Sequence, residues 1–304
     1  MSESNRVRIA YRIGGTGNWK PLRRTGDALT VGTETVTSNE IRDDRKRGGQ
    51  KVVTQTAGGT IDYEFSAKTF DELMAAAFMT NWQADTPVAG SDQLTVGTTS
   101  VTLDILKSYL DEDRHVLISN AQVSQLSITM NAASVVTGQL TVVGSASDVD
   151  YDPSGDTFDP LGDELVMDSS NNLGSFLIDA APVSGMCFTA MTLDLNNNHQ
   201  SDQCLGAVSQ NHWKGSAAVT GSITVRSSAA AFDLWKNSIN NTPVQLQYQL
   251  DDGNNTYAVD VANAYLAGEL PSGGMDAILS FELNFNASAK SDGSYLSVTR
   301  TLAP

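Results

Sequence analysis

The sequence predicts a mainly β protein built from two tandem duplicated β-sandwich or barrel units, each with one flanking α-helix. Three observations carry that prediction. Thr, Val, Ser, Gly and Asn are abundant in the 304 residues and only short helical patterns occur, a composition that favours sandwiches or barrels. Gly59 to Ala77 recurs without a gap as Gly221 to Ile239, with Gly59/Gly221, Ile61/Ile223, Ser66/Ser228, Phe70/Phe232 and Asp71/Asp233 identical at an offset of 162. A second echo matches Asn120, Ala121, Leu140, Ser145 and Ala146 to Asn263, Ala264, Leu283, Ser288 and Ala289 at an offset of 143. The offset falls by 19, which places an extra hairpin-sized piece of the first half between Thr80 and Arg114. Repetition of this kind marks a copied structural unit. Residues 1–144 then form the first unit, 145–180 an acidic linker, and 181–304 the second unit.

In chain order, Val7, Ile9, Tyr11 and Ile13 alternate with basic residues, as a half-buried strand should. Gly14, Gly15 and Gly17 break it; no Gly-Lys-Ser/Thr follows, so this is a turn and not a phosphate loop. Trp19 to Val36 reads as a strand pair or an extended arm. Thr37 to Gly58 is a long polar stretch with charges of both signs, suited to pairing with a facing surface on another subunit; loops this long inside compact domains are uncommon and tend to be functional. Ile61, Tyr63 and Phe65 alternate, then Phe70, Leu73, Met74 and Ala77 switch to a helical face. Thr69 and Glu72 make a Thr-x-x-Glu capping box, predicting a helix from Phe70 to about Met79. Leu94, Val96, Val101 and Leu103 around Gly97 read as the extra hairpin. Strands at Val116–Ile118, Val123–Met130 and Val135–Val143 complete the first sheet.

Ser145 to Ala180 breaks the composition, with nine acidic residues among Pro, Gly and Ser. Its Asp-x-Asp-x-Asp run lacks the glycine and the twelfth-position Glu of a calcium loop. The second unit repeats the pattern: Met191, Leu193 and Leu195, a loop from Asn196 to Gln210, a strand at Ala217–Arg226, a helix at Ala229–Ile239, a hairpin turning at Asp251–Asn254, and closing strands at Ile278–Asn286 and Tyr295–Leu302.

The formal charge of -16 is unevenly spread: residues 1–51 carry a net of +5 and the remainder a net of -21. Acidity on that scale argues against tight nucleic-acid binding, which needs clustered cations, and suits a surface past which nucleic acid slides. The basic N-terminal stretch suits an arm docking on a neighbouring copy. Cys187 and Cys204 are too few for a disulfide framework, and no apolar segment is long enough to span a bilayer. Cys187, His199, Cys204 and His212 lack metal-ligand spacing, and no catalytic elbow or acid pair stands out. Neither enzyme activity, nor a cofactor, nor a metal is expected.

The segment Thr37-Ser38-Asn39-Glu40-Ile41-Arg42-Asp43-Asp44-Arg45, followed about fifteen residues later by a Gly-led strand and the Phe70-Asp71-Glu72-Leu73 helix, resembles the major tail tube proteins of long-tailed, siphovirus-type bacteriophages. The resemblance runs from the Val7 strand to the Leu302 strand; the second half has Asn196 to Lys214 where the first has its Ser-Asn-Glu-Ile-Arg loop. It implies a structural virion protein, made in the host cytoplasm and located in the tail tube. Copies would close into rings that stack into a hollow tube, with three chains giving a pseudo-sixfold ring and six-chain rings as the alternative. Its implied partners are itself, a tape-measure protein in the lumen, tail terminator and tail-tip proteins, and viral DNA in transit without specific binding. Ser38, Asn39, Glu40, Ile41, Arg42, Asp43, Asp44, Arg45, Lys46 and Arg47 are the expected inter-ring contact; Ile61, Phe70, Asp71, Ile223, Phe232 and Asp233 mark the repeated strand–helix element. The competing reading is a tail-tip or carbohydrate-binding β-module.

Overall fold

The computed structural model describes residues 3–303. Half of the chain is strand and 7% helix, in large antiparallel sheets, so the mainly β class holds. In order, the elements are β1 (Val7–Ile13), β2 (Lys20–Pro21), β3 (Gly26–Asp27), β4 (Thr30–Thr37), β5 (Gln50–Glu64), α1 (Asp71–Phe78), β6 (Asp92–Thr95), β7 (Leu103–Tyr109), β8 (Arg114–Asn131), β9 (Thr137–Gly144) and β10 (Ala146–Asp148). There follow β11 (Leu173–Ile178), β12 (Ala181–Pro182), β13 (Phe188–Asn196), β14 (Gln200–Asp202), β15 (Asn211–Trp213), β16 (Ala218–Arg226), α2 (Ala229–Ile239), β17 (Val244–Asp251), β18 (Thr256–Gly268), β19 (Ser280–Ala287) and β20 (Leu296–Thr301).

The residues that echo in sequence sit at matching rungs of two ladders. β5 pairs with β9, Ile61 opposite Leu140; β16 pairs with β19, Ile223 opposite Leu283. Val123 of β8 faces Val142 as Leu266 of β18 faces Phe285. Even an irregularity recurs: the β7–β8 ladder slips between Leu103/Ala121 and Ile105/Ile118, and the β17–β18 ladder between Val244/Ala264 and Leu246/Val261. β1 adds to β7 as β11 adds to β17, and β10 adds to β8 as β20 adds to β18. Of the first-half strands, β6 alone lacks a counterpart among the described residues, and it lies inside the stretch where the shift of offset places the extra piece.

The shared glycines have one physical reason. A Cβ on Gly59 would lie 2.2 Å from the carbonyl oxygen of Ala28, and one on Gly221 would lie 2.1 Å from that of Thr192. Both are overlaps with backbone, so these strand pairs close only where no side chain intervenes.

The two halves join edge to edge. β8 pairs along β13, with Leu126, Ile128 and Met130 opposite Leu195, Leu193 and Met191, and all six side chains are buried. A second join pairs β6 with β20, Leu94 opposite Val298. One apolar core therefore runs through both halves, and burying side chains of this size stabilises by about 1.5–3 kcal/mol each.

Several sequence expectations are corrected. The capping box does not form: Phe70 occupies the cap position of α1 without a side-chain bond. The Thr69 hydroxyl is instead engaged by Ser66 Oγ at 2.8 Å and Ala67 O at 3.3 Å, and Lys68 takes a left-handed conformation just before the helix. The expected hairpin around Gly97 is absent; β6 pairs with β20 instead of returning on β7. Much of Thr37–Gly58 is strand, because β5 extends back to Gln50 and zips along β4. The first basic stretch does not stand free of the body. β1 lies between β2 and β7, and Arg12, Lys20 and Arg24 pair with Asp104, Glu72 and Asp27.

The acidic stretch after β10 runs back over the first half before reaching β11. Trp19, fully buried, stacks on Phe158 and donates its indole N–H to Asp156 at 2.7 Å. Ser66 and Val135 then bridge to Val166 and Asp168. Several of its carboxylates close local turns, as where Asp168 accepts from the backbone of Ser170 and Asn171.

Candidate assembly interface

The β4–β5 hairpin leaves the core as an arm. Near Ala57 its residues are partly buried, whereas from Thr33 outward on β4 and from Gln50 to Val53 on β5 they are exposed. Residues Ser38, Asn39, Glu40, Ile41, Arg42, Asp43, Asp44, Arg45, Lys46 and Arg47 form its tip, and every one is exposed. Charge organises that tip. Arg42 bridges Glu40 at 3.1 Å and Asp44 at 3.2 Å, and Asp44 also accepts from the Lys46 backbone at 3.1 Å. The guanidinium of Arg42 and the Lys46 N–H hold the Asp44 carboxyl below its ordinary range. Arg45 takes φ +58, which lets the turn close within its own ion pairs. Ile41 stands fully exposed beside them, with Val36 and Val52 also exposed down the arm.

The second half has its own, broken arm in the equivalent place. β13 continues into β14, the chain turns through Cys204 to Gln210, and β15 returns, with Ser201 opposite His212. Leu205, Val208 and Trp213 are exposed on it. The two arms touch. Gln55 N–H donates to Val208 O at 2.9 Å, Thr54 Oγ1 donates to Gln203 Oε1 at 2.9 Å, and Gln203 Nε2 donates to Val53 O at 2.6 Å. Sequence reading compared these loops without predicting this contact; no charge or periodicity in either segment points to it.

The histidines fix this second arm. His212 Nε2 donates to Gly144 O at 3.0 Å, an acceptor only, and its Nδ1 lies in hydrogen-bond contact with Ser201 Oγ at 3.1 Å. His199 meets Gln122 Oε1 at 3.0 Å; burial, then the neighbouring His212, lowers its pKa. Cys187 and Cys204 are both exposed and unpaired. Among the described residues no group of three or more His, Cys, Asp or Glu is placed to hold a metal ion, and no helix is long and apolar enough to cross a membrane.

The repeated strand–helix element has two different surroundings. Ile61, Phe70 and Asp71 are buried, as is Ile223. Asp71 accepts from Tyr257 at 2.8 Å and from Arg300 at 2.5 Å, and Arg300 continues to Asp92 at 2.8 Å. Burial raises the Asp71 carboxyl above its ordinary pKa, outweighing Tyr257 and Arg300. Asp233, its counterpart, is exposed and pairs only with Lys236 one turn along α2 at 2.7 Å. Phe232 is 39% exposed where Phe70 is 1%. The first helix is thus clamped by residues of the second half, while the second helix presents its outer face.

The two halves of the chain join edge to edge through β8 and β13, and their arms adjoin. No curated protein matches the chain. The family model described as phage tail tube protein matches residues 4–289. Because that match takes in nearly the whole polypeptide, the chain belongs to the phage tail tube protein family.

Proposed function

We propose that the protein is the self-assembling subunit of a phage tail tube, whose copies close into rings that stack into a hollow conduit for DNA on delivery. The observation that carries this reading is the paired register of the two halves, which the chain already joins by an edge-to-edge ladder between β8 and β13. A chain that presents one unit after another, with unlike edges at its two ends, extends head to tail and closes when the rotation allows. We read the halves as a tandem duplication, with units 1–144 and 181–304; three chains then supply six units, a pseudo-sixfold ring, and six chains are the alternative stoichiometry. The short ladders of β10 and β11 fall within 145–180 and fasten that linker to a unit at each end.

The tip Ser38 to Arg47, with its self-paired charges and bare Ile41, is the segment assigned to contact between stacked rings. A tape-measure protein inside the lumen and terminator and tip proteins at the ends are the partners this role requires. The acidic body favours a negative lumen, which repels phosphate and keeps DNA mobile. Replacing Ser38 to Lys51 by a short turn is expected to leave folded protein that no longer polymerises. Normal tubes from that variant, seen by negative-stain microscopy, would refute the assignment. A tail-tip or carbohydrate-binding module would give compact particles that bind glycan.

A further inference from the structure

The seam inside the chain has an unfilled copy of itself on each flank. Beyond its bulge, β8 lies between β9 and β13. The matching part of β18, Tyr265 to Gly268, pairs with β19 on one side and, among the described residues, has no strand on the other. In β8 the strand continues to Asn131, held by β13; in β18 it stops at Gly268. The residues after it, 269–279, form no strand and expose Leu270, Met275 (96%), Ile278 and Leu279. Toward the opposite end of the chain, β3 and β4, the counterparts of β13, pair among the described residues with β5 alone. Two complementary open edges remain, and an open edge is a template for pairing with another chain.

We infer that β18 and residues 269–272 of one copy pair antiparallel with β3–β4 of the next copy, in the register of the internal β8–β13 seam. The occupant of the exposed apolar stretch is therefore a second copy of this chain; this inference rests on the ring reading and names its joint. The register transfers residue by residue. Thr30 and Val31 pair with Gly58 and Ala57 as Asp194 and Leu195 pair with Thr220 and Val219. Gly268 faces Leu283 as Leu126 faces Leu140. Leu29 of the next copy thus falls opposite Leu270, Thr30 opposite Glu269 and Val31 opposite Gly268. The Leu29–Leu270 pair reproduces Leu193–Ile128 at the heart of the internal seam.

A separate observation agrees with this placement. Asn197, just past β13, is buried and donates its amide to Ala77 O and Val123 O, sealing the end of α1. The counterparts of Ala77 and Val123 are Ile239 and Leu266, and Ile239 is 65% exposed where Ala77 is fully buried. The residue matching Asn197 is Thr33, on the open β4 edge. Docking that edge brings Thr33 of the next copy over the end of α2 and covers Ile239.

The test is a cross-link in the full-length protein, with Cys187 and Cys204 changed to Ser so that only introduced thiols react. Thr30→Cys with Glu269→Cys, assembled at high concentration and treated with a short bis-maleimide, is expected to give a ladder of covalent oligomers on a denaturing gel. Glu34→Cys with Glu269→Cys, four residues out of register, is expected to give at least tenfold less. Rings or tubes in the micrograph without the Thr30–Glu269 ladder would overturn the seam and leave the ring standing. Equal ladders from both pairs would overturn the register. Absence of any self-association in either assay would overturn seam and ring together.

Discussion

Asp71→Ala and Asp233→Ala alter the same residue of the repeated element and are expected to behave differently. Asp71 lies in the core and accepts two hydrogen bonds from the second half, from Tyr257 and Arg300. Hydrogen bonds to a charged group contribute about 1.5–3 kcal/mol each, and breaking a buried ion pair costs about 3–5 kcal/mol. Two factors reduce that loss. Arg300 keeps Asp92 at 2.8 and 3.0 Å, and the buried carboxylate carries a desolvation cost, seen in its raised pKa, that the substitution removes. The expected net loss is about 2–3 kcal/mol. Unfolding entropy near 2.1 cal/mol/K per residue makes this a fall of about 3–5 °C in Tm for a chain of this length unfolding as one unit. Asp233 pairs only with Lys236 on the surface of α2, a class of contact that is nearly neutral, so Asp233→Ala should leave the thermal midpoint within error of the parent. Differential scanning calorimetry reads both. Equal shifts would refute the claim that the second half clamps α1.

Further outcomes follow from the same contacts. Gly221→Ala puts a Cβ only 2.1 Å from the Thr192 carbonyl oxygen; a loss above about 3 kcal/mol is expected on overpacking grounds, whereas Gly155→Ala, with nothing nearby, should be silent in urea unfolding. Ser228→Ala removes the cap bond to Ala231 N at 3.2 Å and should cost about 1 kcal/mol; Thr69→Ala removes no cap bond from α1 and should not lower its helix signal in far-UV dichroism. Burial alone would raise the Asp27 carboxyl, but Lys107 and then Arg24 outweigh it and hold it below its ordinary range. A depressed carboxyl stabilises the fold above its unfolded pKa and loses that contribution as pH falls through its folded value. Tm measured from pH 7 down to pH 2 should therefore fall more steeply for the parent than for Asp27→Asn; parallel curves would contradict the pairing.

The sequence made the β class and the repeated registers legible because Ile61, Leu140, Ile223 and Leu283 lie at rungs where a side chain must fit a facing strand, and such positions tolerate little drift. The correspondence of β1 with β11 left no identity to find, since Val7–Ile13 and Leu173–Ile178 need only be apolar on one face. The cap of α1 was misread because Ser66, which matches the working cap Ser228, hydrogen-bonds Thr69 Oγ1 instead. Lys68 also turns left-handed just before the helix, a conformation with no signature in the residue types. Asp71 and Asp233 show a further boundary: identical letters in an identical motif, one buried and one exposed, because Arg300 and Tyr257 reach only the first. In the candidate interface, mixed charge and length mark Thr37 to Gly58, which contains Ser38 to Arg47, as a surface segment. The open edge of β18 and the bare Leu270, Met275 and Ile278 carry no such flag, because isolated apolar residues beside Pro and Gly read as ordinary loop until the vacant partner position is seen.

The most direct measurement is microscopy of purified tails or concentrated protein, with ring sections averaged and the chains per ring counted by mass. The account predicts stacked rings with six similar lobes contributed by three chains, or twelve by six, and alternating helices α1 and α2 around each ring. Compact particles with no ring, or rings in which one half of each chain takes no part in the closed wall, would contradict it.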